Sequence, residues 1–184
     1  MGKLFFIFSL VVIMGTQSVF AEVSKERLCK TSNFISAKVS PDGKLIAKVG
    51  ADELGIANVT VFSVENELAS QKKLSFFKTP EIIQFFWSTD SNKVLLLKDE
   101  NGTGQLNLHG FDIESNEHIN YTENFPKVTT KFIKLSSKEN KAIIGLNHRN
   151  PQFHDLYVLD LNSGEITLLL ENDTFAKFLV SDEL

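Results

Sequence analysis

Ser40-Pro41-Asp42-Gly43 is the stretch that decides the fold, because it recurs along the chain at a fixed interval. Ser88-Thr89-Asp90-Ser91 and Ser136-Ser137-Lys138-Glu139 each follow the previous copy by 48 residues. Every copy separates two short apolar runs that are rich in the β-branched and aromatic residues favoured in strands. A repeat of this length, built from short strands, is typical of β-propeller blades, each of which is a four-stranded sheet.

The apolar runs and the turns between them predict the strands of each blade. Pro41 sets φ for a tight turn and Gly43 accepts positive φ, so the first turn is strongly specified. The predicted strands are 34–39, 45–49, 58–64 and 74–77, then 82–87, 93–98, 105–112 and 117–121, then 130–135, 141–147, 155–160 and 165–170, with a last one at 174–180. The fold class predicted is therefore all-β: a partial β-propeller of about three four-stranded blades plus one strand of a fourth.

The start of the chain predicts export. Lys3 is followed by an apolar run at 4–14 and by Val19-Phe20-Ala21, a pattern typical of a secretory signal cleaved after residue 21. The alternative is an uncleaved membrane anchor, but the run is short of the roughly 20 apolar residues that a spanning helix needs. We therefore expect a periplasmic or secreted protein with no membrane contact after cleavage.

The remaining chain divides into a lead-in and one repeat domain. The predicted divisions are a signal peptide at 1–21, a lead-in at 22–33 and a partial propeller at 34–184, with blades at 34–81, 82–129 and 130–174 and the start of a fourth at 175–184. Cys29 is the only cysteine, so an internal disulfide is excluded. The formal net charge of −4, without a cluster of Lys or Arg, argues against a nucleic-acid partner.

Phenylalanine is abundant, with 16 in the 184 residues. Five of them fall on predicted first strands of blades, where we expect them to pack between neighbouring blades. These five are Phe34, Phe85, Phe86, Phe132 and Phe175.

Two longer motifs carry a resemblance to a known family. Phe86-Trp87-Ser88-Thr89-Asp90-Ser91 leads into Leu-Leu-Leu-Lys-Asp-Glu-Asn-Gly at 95–102, and Gly-Leu-Asn-His-Arg-Asn-Pro at 145–151 precedes His-Asp-Leu-Tyr-Val-Leu-Asp-Leu at 154–161. Together they resemble the N-terminal propeller of the prolyl oligopeptidase family of serine peptidases, in its dipeptidyl or acylaminoacyl aminopeptidase branch. The resemblance covers nearly all of the chain after residue 21.

The resemblance implies a gating role rather than catalysis. In that family the propeller precedes an α/β-hydrolase domain with a Ser-Asp-His triad and restricts entry to short or unfolded peptides. This sequence has no Gly-x-Ser-x-Gly, the motif that exposes the nucleophile on a strained turn. We therefore expect a non-catalytic propeller fragment, truncated before the hydrolase domain, with no catalytic residues of its own.

Partners follow from the same expectation. They are a separately encoded hydrolase domain, a peptide, or a second copy of the chain. The alternative function is a TolB-like periplasmic module for protein interaction, whose ring is completed by self-association.

Few residues suggest chemistry or binding. None of the four histidines, at 109, 118, 148 and 154, has a second histidine at the spacing of a helical zinc site, and no metal or cofactor is predicted. The segment 147–154 is the best candidate for a contact, with Arg149 and Asn147 as the residues that would touch a peptide or a partner. Arg149 suits a carboxylate. The alternative is that Arg149 pairs with a nearby Asp or Glu of the chain itself.

Overall fold

The computed structural model describes residues 34–65, 71–78, 82–99, 102–174 and 177–181. All of them belong to one contact unit, Ser32–Leu184. The predicted signal peptide, the lead-in and Phe175 lie outside the described residues. Within the described ranges, no helix has the length and apolarity needed to cross a membrane.

Twelve strands form three antiparallel sheets, and within each sheet the strands pair in chain order. Blade 1 contains β1 (Phe34–Val39), β2 (Leu45–Ala51), β3 (Ala57–Ser63) and β4 (Lys72–Lys73). Blade 2 contains β5 (Ile82–Trp87), β6 (Lys93–Asp99), β7 (Leu106–Asp112) and β8 (His118–Asn120). Blade 3 contains β9 (Thr130–Leu135), β10 (Lys141–Leu146), β11 (Asp155–Asp160) and β12 (Ile166–Leu170). The predicted partial propeller with three four-stranded blades is confirmed.

The fourth strand of blade 1 is shorter and earlier than the predicted 74–77. β4 pairs only with Thr60 and Val61 of β3, and the ladder stops before Ser75. The Ser75 hydroxyl accepts a hydrogen bond from the Val59 amide at 2.8 Å and donates one to Asn58 Oδ1 at 3.0 Å. The amides of Leu74 and Ser75 both donate to the Val59 carbonyl, at 2.9 and 3.5 Å, so the regular ladder ends here and the Ser75 side chain supplies the next contacts.

No strand is present at 174 or at 177–180, which are the described residues of the strand predicted at 174–180. Val180 contacts blade 3 through its carbonyl oxygen, which accepts a hydrogen bond from Lys134 Nζ at 3.3 Å. A side-chain contact of this kind does not build the repeating backbone ladder that defines a strand. The prediction of a first strand for a fourth blade was wrong for these residues.

β6 is buried on both faces because blade 2 lies between the other two. Successive side chains of a strand point to opposite faces. Val94 and Leu96 accordingly join the core shared with blade 1, and Leu95 and Leu97 join the core shared with blade 3. Two apolar cores hold the three blades together, and β6 contributes to both of them.

The recurring turns link neighbouring blades as well as reversing the chain. The Asp42 amide donates to Ser91 Oγ at 3.1 Å, Thr89 Oγ1 donates to the Ser136 carbonyl at 2.8 Å, and Asn140 Nδ2 donates to Asp90 Oδ2 at 3.0 Å. We call these three contacts the turn row. They explain why the motif repeats at equal spacing: each copy occupies the same place in its blade and touches the copy in the next blade.

The phenylalanine prediction holds for three of the four described side chains. Phe85 is buried, and Phe86 stacks on Phe132 with ring centroids 3.8 Å apart across the interface of blades 2 and 3. Phe34 is 50% exposed, so its predicted packing between blades was wrong. Its partner in the ladder is Gly50, on the face of blade 1 that points away from blade 2.

Candidate functional site

The loop between β10 and β11 places Arg149 beside two carboxylates. Its Nε and Nη2 donate to the two oxygens of Asp155 at 3.0 and 2.9 Å, in the bidentate geometry that suits a guanidinium. Nη1 lies 2.9 Å from Asp173 Oδ1, and Nη2 also donates to the Asn172 carbonyl at 3.2 Å. The side chain of Arg149 is 37% exposed, whereas that of Asp155 is 2% exposed.

These contacts stabilise the charged forms of Asp155 and Arg149. The hydrogen bonds from Arg149, followed by the one from the Asn172 amide, hold the pKa of Asp155 below its usual range despite burial. The same pairing raises the pKa of Arg149. Arg149 thus makes the contact that the sequence analysis left open as an alternative, a salt bridge within the chain. A peptide carboxylate would compete with Asp173, whose side chain is 64% exposed, rather than with Asp155.

Asn147 supports the same loop from its other end. Its Oδ1 accepts a hydrogen bond from the Thr129 amide at 2.6 Å, and its Nδ2 donates to the Pro151 carbonyl at 3.3 Å. The His154 ring lies 3.0 Å from the Thr129 carbonyl and ties the loop to the same backbone segment. The structure therefore places Asn147 and Arg149 in one loop but gives them separate partners. Their predicted contact with a peptide or partner stays a prediction.

His109 and His118 form a pair that the sequence analysis missed. His109 Nδ1 and His118 Nε2 are 2.9 Å apart, and the rings stack with centroids 5.2 Å apart. β7 and β8 are antiparallel, and His109 lies opposite Asn120, so His118 is its diagonal neighbour. The pair could therefore have been predicted only from the register of the β7–β8 hairpin, and not from the spacing of the two histidines along the chain. Among the described residues, no group of three or more His, Cys, Asp or Glu could hold a metal ion.

The pair contains one strongly buried imidazole. Burial lowers the pKa of His109 to about 4, and the nearby His118 and Lys98 add smaller effects in the same direction. His109 is 2% exposed, so its neutral form persists at pH 7 and one ring donates its proton to the other. His109 is thus packed within the sheet, whereas its partner His118 is exposed.

The protein is expected to lose stability as the pH falls from about 6.5 towards 4. Because the pKa of His109 is about 4 in the folded state and 6.5 ordinarily, the unfolded chain binds a proton in this window that the folded chain does not. The resulting slope is at most about 1.4 kcal/mol per pH unit. Urea unfolding across this window should show a smaller slope for His109→Gln than for the unmodified chain. His148→Gln, at an exposed histidine, is the control and should keep the slope; an unchanged slope in His109→Gln would contradict the assignment.

Asp99, the last residue of β6, uses its carboxylate to hold the loop that follows. Asp99 is buried, and its two oxygens accept hydrogen bonds from the amides of Thr103 and Gly104 at 3.1 and 2.5 Å. The carboxylate therefore shapes its own loop.

Comparison with known proteins shows which proteins this chain is similar to in sequence. No family model matches the chain. Dipeptidyl aminopeptidase BIII of Pseudoxanthomonas mexicana is 31% identical over 172 residues, which are 92% of this chain and 24% of that protein. The chain thus spans about a quarter of the length of this curated relative.

Solved structures agree on the fold. The propeller domain of the Trilobed protease from Pyrococcus furiosus, described as having an open velcro topology, is 25% identical, with a TM-score of 0.57 over 77% of this chain and 44% of that one. A putative TolB from Agrobacterium tumefaciens shares the fold at 12% identity, with a TM-score of 0.52 over 73% of this chain and 49% of that one. The chain is therefore a β-propeller segment related to the dipeptidyl aminopeptidases, with the propeller fold of prolyl oligopeptidase family peptidases.

Proposed function

We propose that this chain serves as the propeller portion of an exported serine peptidase of the dipeptidyl aminopeptidase type, and that it controls access of peptides without hydrolysing them. The observation that carries the proposal is the similarity to dipeptidyl aminopeptidase BIII along 92% of the chain. The sequence itself has no Gly-x-Ser-x-Gly motif. A gate acts by size and shape, so it needs no nucleophile of its own.

The partner in this proposal is a hydrolase domain encoded separately, with a peptide as the molecule being admitted. Arg149 is the residue proposed to meet a peptide carboxylate, because its guanidinium is partly exposed and its pairing with Asp173 lies towards solvent. Asn147 would hold the loop in place for this contact through Thr129 and Pro151.

Purified residues 22–184 are expected to release no p-nitroaniline from dipeptidyl p-nitroanilides above the rate in buffer. The full-length Pseudoxanthomonas enzyme is the positive control, and a fluorophosphonate probe for activated serine should label that enzyme but not this chain. Turnover together with fluorophosphonate labelling of this chain would overturn the proposal, since both would require a nucleophile within it.

A second candidate is the TolB-like interaction module completed by self-association. It is favoured by apolar side chains on the faces that point away from blade 2: Phe34 and Val39 of blade 1 and Leu170 of blade 3 are 50, 57 and 48% exposed. Sedimentation velocity distinguishes the self-associating module from the peptidase gate. A discrete dimer supports the module, whereas a monomer that co-sediments with a serine-hydrolase domain of the aminopeptidase class supports the gate.

A further inference from the structure

The structure points to a binding groove for an organic anion between blades 1 and 2, and we propose that it takes a carboxylate with a flat aromatic body. This groove, which we call the rim groove, lies between β4 with the residues after it and the β7–β8 hairpin, and has a volume of about 610 Å³. Sites for small molecules fall in the range of roughly 300–1,000 Å³. The rim groove is remote in sequence from the loop at Arg149, and it is independent of the proposed gating role.

Aromatic rings form one wall of the rim groove. The Phe111 and His118 rings are stacked, with centroids 4.4 Å apart and planes 5° from parallel. Phe77 meets Phe111 edge-on at 5.8 Å, which fixes the orientation of both rings. A flat ring would find a stacking surface here of the kind that aromatic pairs prefer.

Positive charge lies at the edge of the rim groove. Lys72 Nζ donates to the backbone carbonyls of Ile113 and Glu114, which fastens β4 to the turn after β7. Lys73 Nζ lies 5.0 Å from the centre of the Phe76 ring. All these contacts are with neutral groups, so within the described residues no carboxylate pairs with either ammonium group.

The charge of the lining determines the class of ligand. No Asp or Glu is among the described residues that line the rim groove, although the chain as a whole carries a formal charge of −4. Phe76 lines the groove and is 75% exposed, so an apolar surface adjoins the two lysines. A cationic groove with aromatic walls complements a molecule that has an aromatic ring and a carboxylate, and it disfavours a cation of the same shape.

Isothermal titration of residues 22–184 with indole-3-acetate tests the inference. We expect saturable binding with a dissociation constant in about the millimolar range or below. Indole-3-acetamide, which lacks the charge, should bind about tenfold more weakly. Lys73→Gln and Phe76→Ala should each weaken indole-3-acetate binding by about three- to tenfold.

Blade 1 offers a matched control outside the lining of the rim groove. Lys48 Nζ lies 5.8 Å from the centre of the Phe34 ring, so this Lys–Phe pair has the same chemistry outside the rim groove. Lys48→Gln and Phe34→Ala should leave binding unchanged, and unchanged thermal unfolding of each variant shows that it folds. Equal affinity for the amide, equal affinity of Lys73→Gln, or no saturation up to about 10 mM would overturn the inference. None of these outcomes depends on peptidase activity, so the gating proposal can fail or stand separately.

Discussion

Leu96→Ala is expected to lower the free energy of unfolding by about 2–5 kcal/mol, the usual range for emptying a fully buried leucine site. Leu96 is 0% exposed and belongs to the core that joins blades 1 and 2. Both faces of β6 are covered, so the surrounding strands have little freedom to move into the cavity. Urea unfolding can be followed by fluorescence of Trp87, the only tryptophan, which is buried in the same core.

Leu168→Ala is the control for this change. It removes the same atoms from β12, where the side chain is 47% exposed, and should cost less than about 1 kcal/mol. The comparison separates the burial of β6 from the general effect of shortening a leucine. Similar losses for the two variants would mean that β6 does not have the central role assigned to it.

Gly110→Ala is expected to be the second large effect, with a loss of about 1–3 kcal/mol from overpacking. A Cβ at position 110 would lie 2.6 Å from Tyr121 Cε2, well inside contact distance. The ring cannot simply withdraw, because it is buried and its hydroxyl donates to the Leu161 carbonyl of the next blade at 2.9 Å. The substitution therefore strains blade 2 or breaks a contact between blades 2 and 3, and urea unfolding measures the loss.

A double-mutant cycle gives the control. In a Tyr121→Ala background the obstructing ring is gone, so adding Gly110→Ala should cost less than about 0.5 kcal/mol. Additive losses in the two variants would contradict the predicted clash and would place the effect in the backbone of β7 instead. The cycle thus identifies the contact as well as the size of the change.

The repeat allowed most of the fold to be predicted, because its turns and strands follow local rules. The bounds of β5 and β9 agree with the prediction, since Pro, Gly, Ser and Asp mark the turns and apolar residues fill the strands. The prediction fails where side chains replace backbone pairing. Phe76 and Phe77 favour a strand by composition, but the hydrogen bonds of Ser75 end the ladder before them.

The candidate sites were harder to predict, because they depend on register and on partners distant in sequence. His109 meets His118 only because of the way β7 pairs with β8. Arg149 could be proposed as a carboxylate contact from its residue type, but its pairing with Asp173 requires the path of the chain after β12. The rim groove forms between two repeats, so no single stretch of sequence describes it.

The pairing of strands in chain order also bears on how the chain folds. Every sheet forms from consecutive hairpins, and the turn row joins segments that are close to one repeat length apart. Each strand therefore pairs with a strand that is close to it in sequence. Proteins dominated by such local pairings fold faster than β-sandwiches, whose paired strands are far apart in sequence. Each blade can form its sheet once its own four strands have been synthesised. Blades 1 and 3 then pack against blade 2 in a later step. Assembly from the N-terminal end during synthesis is the natural order for such a chain.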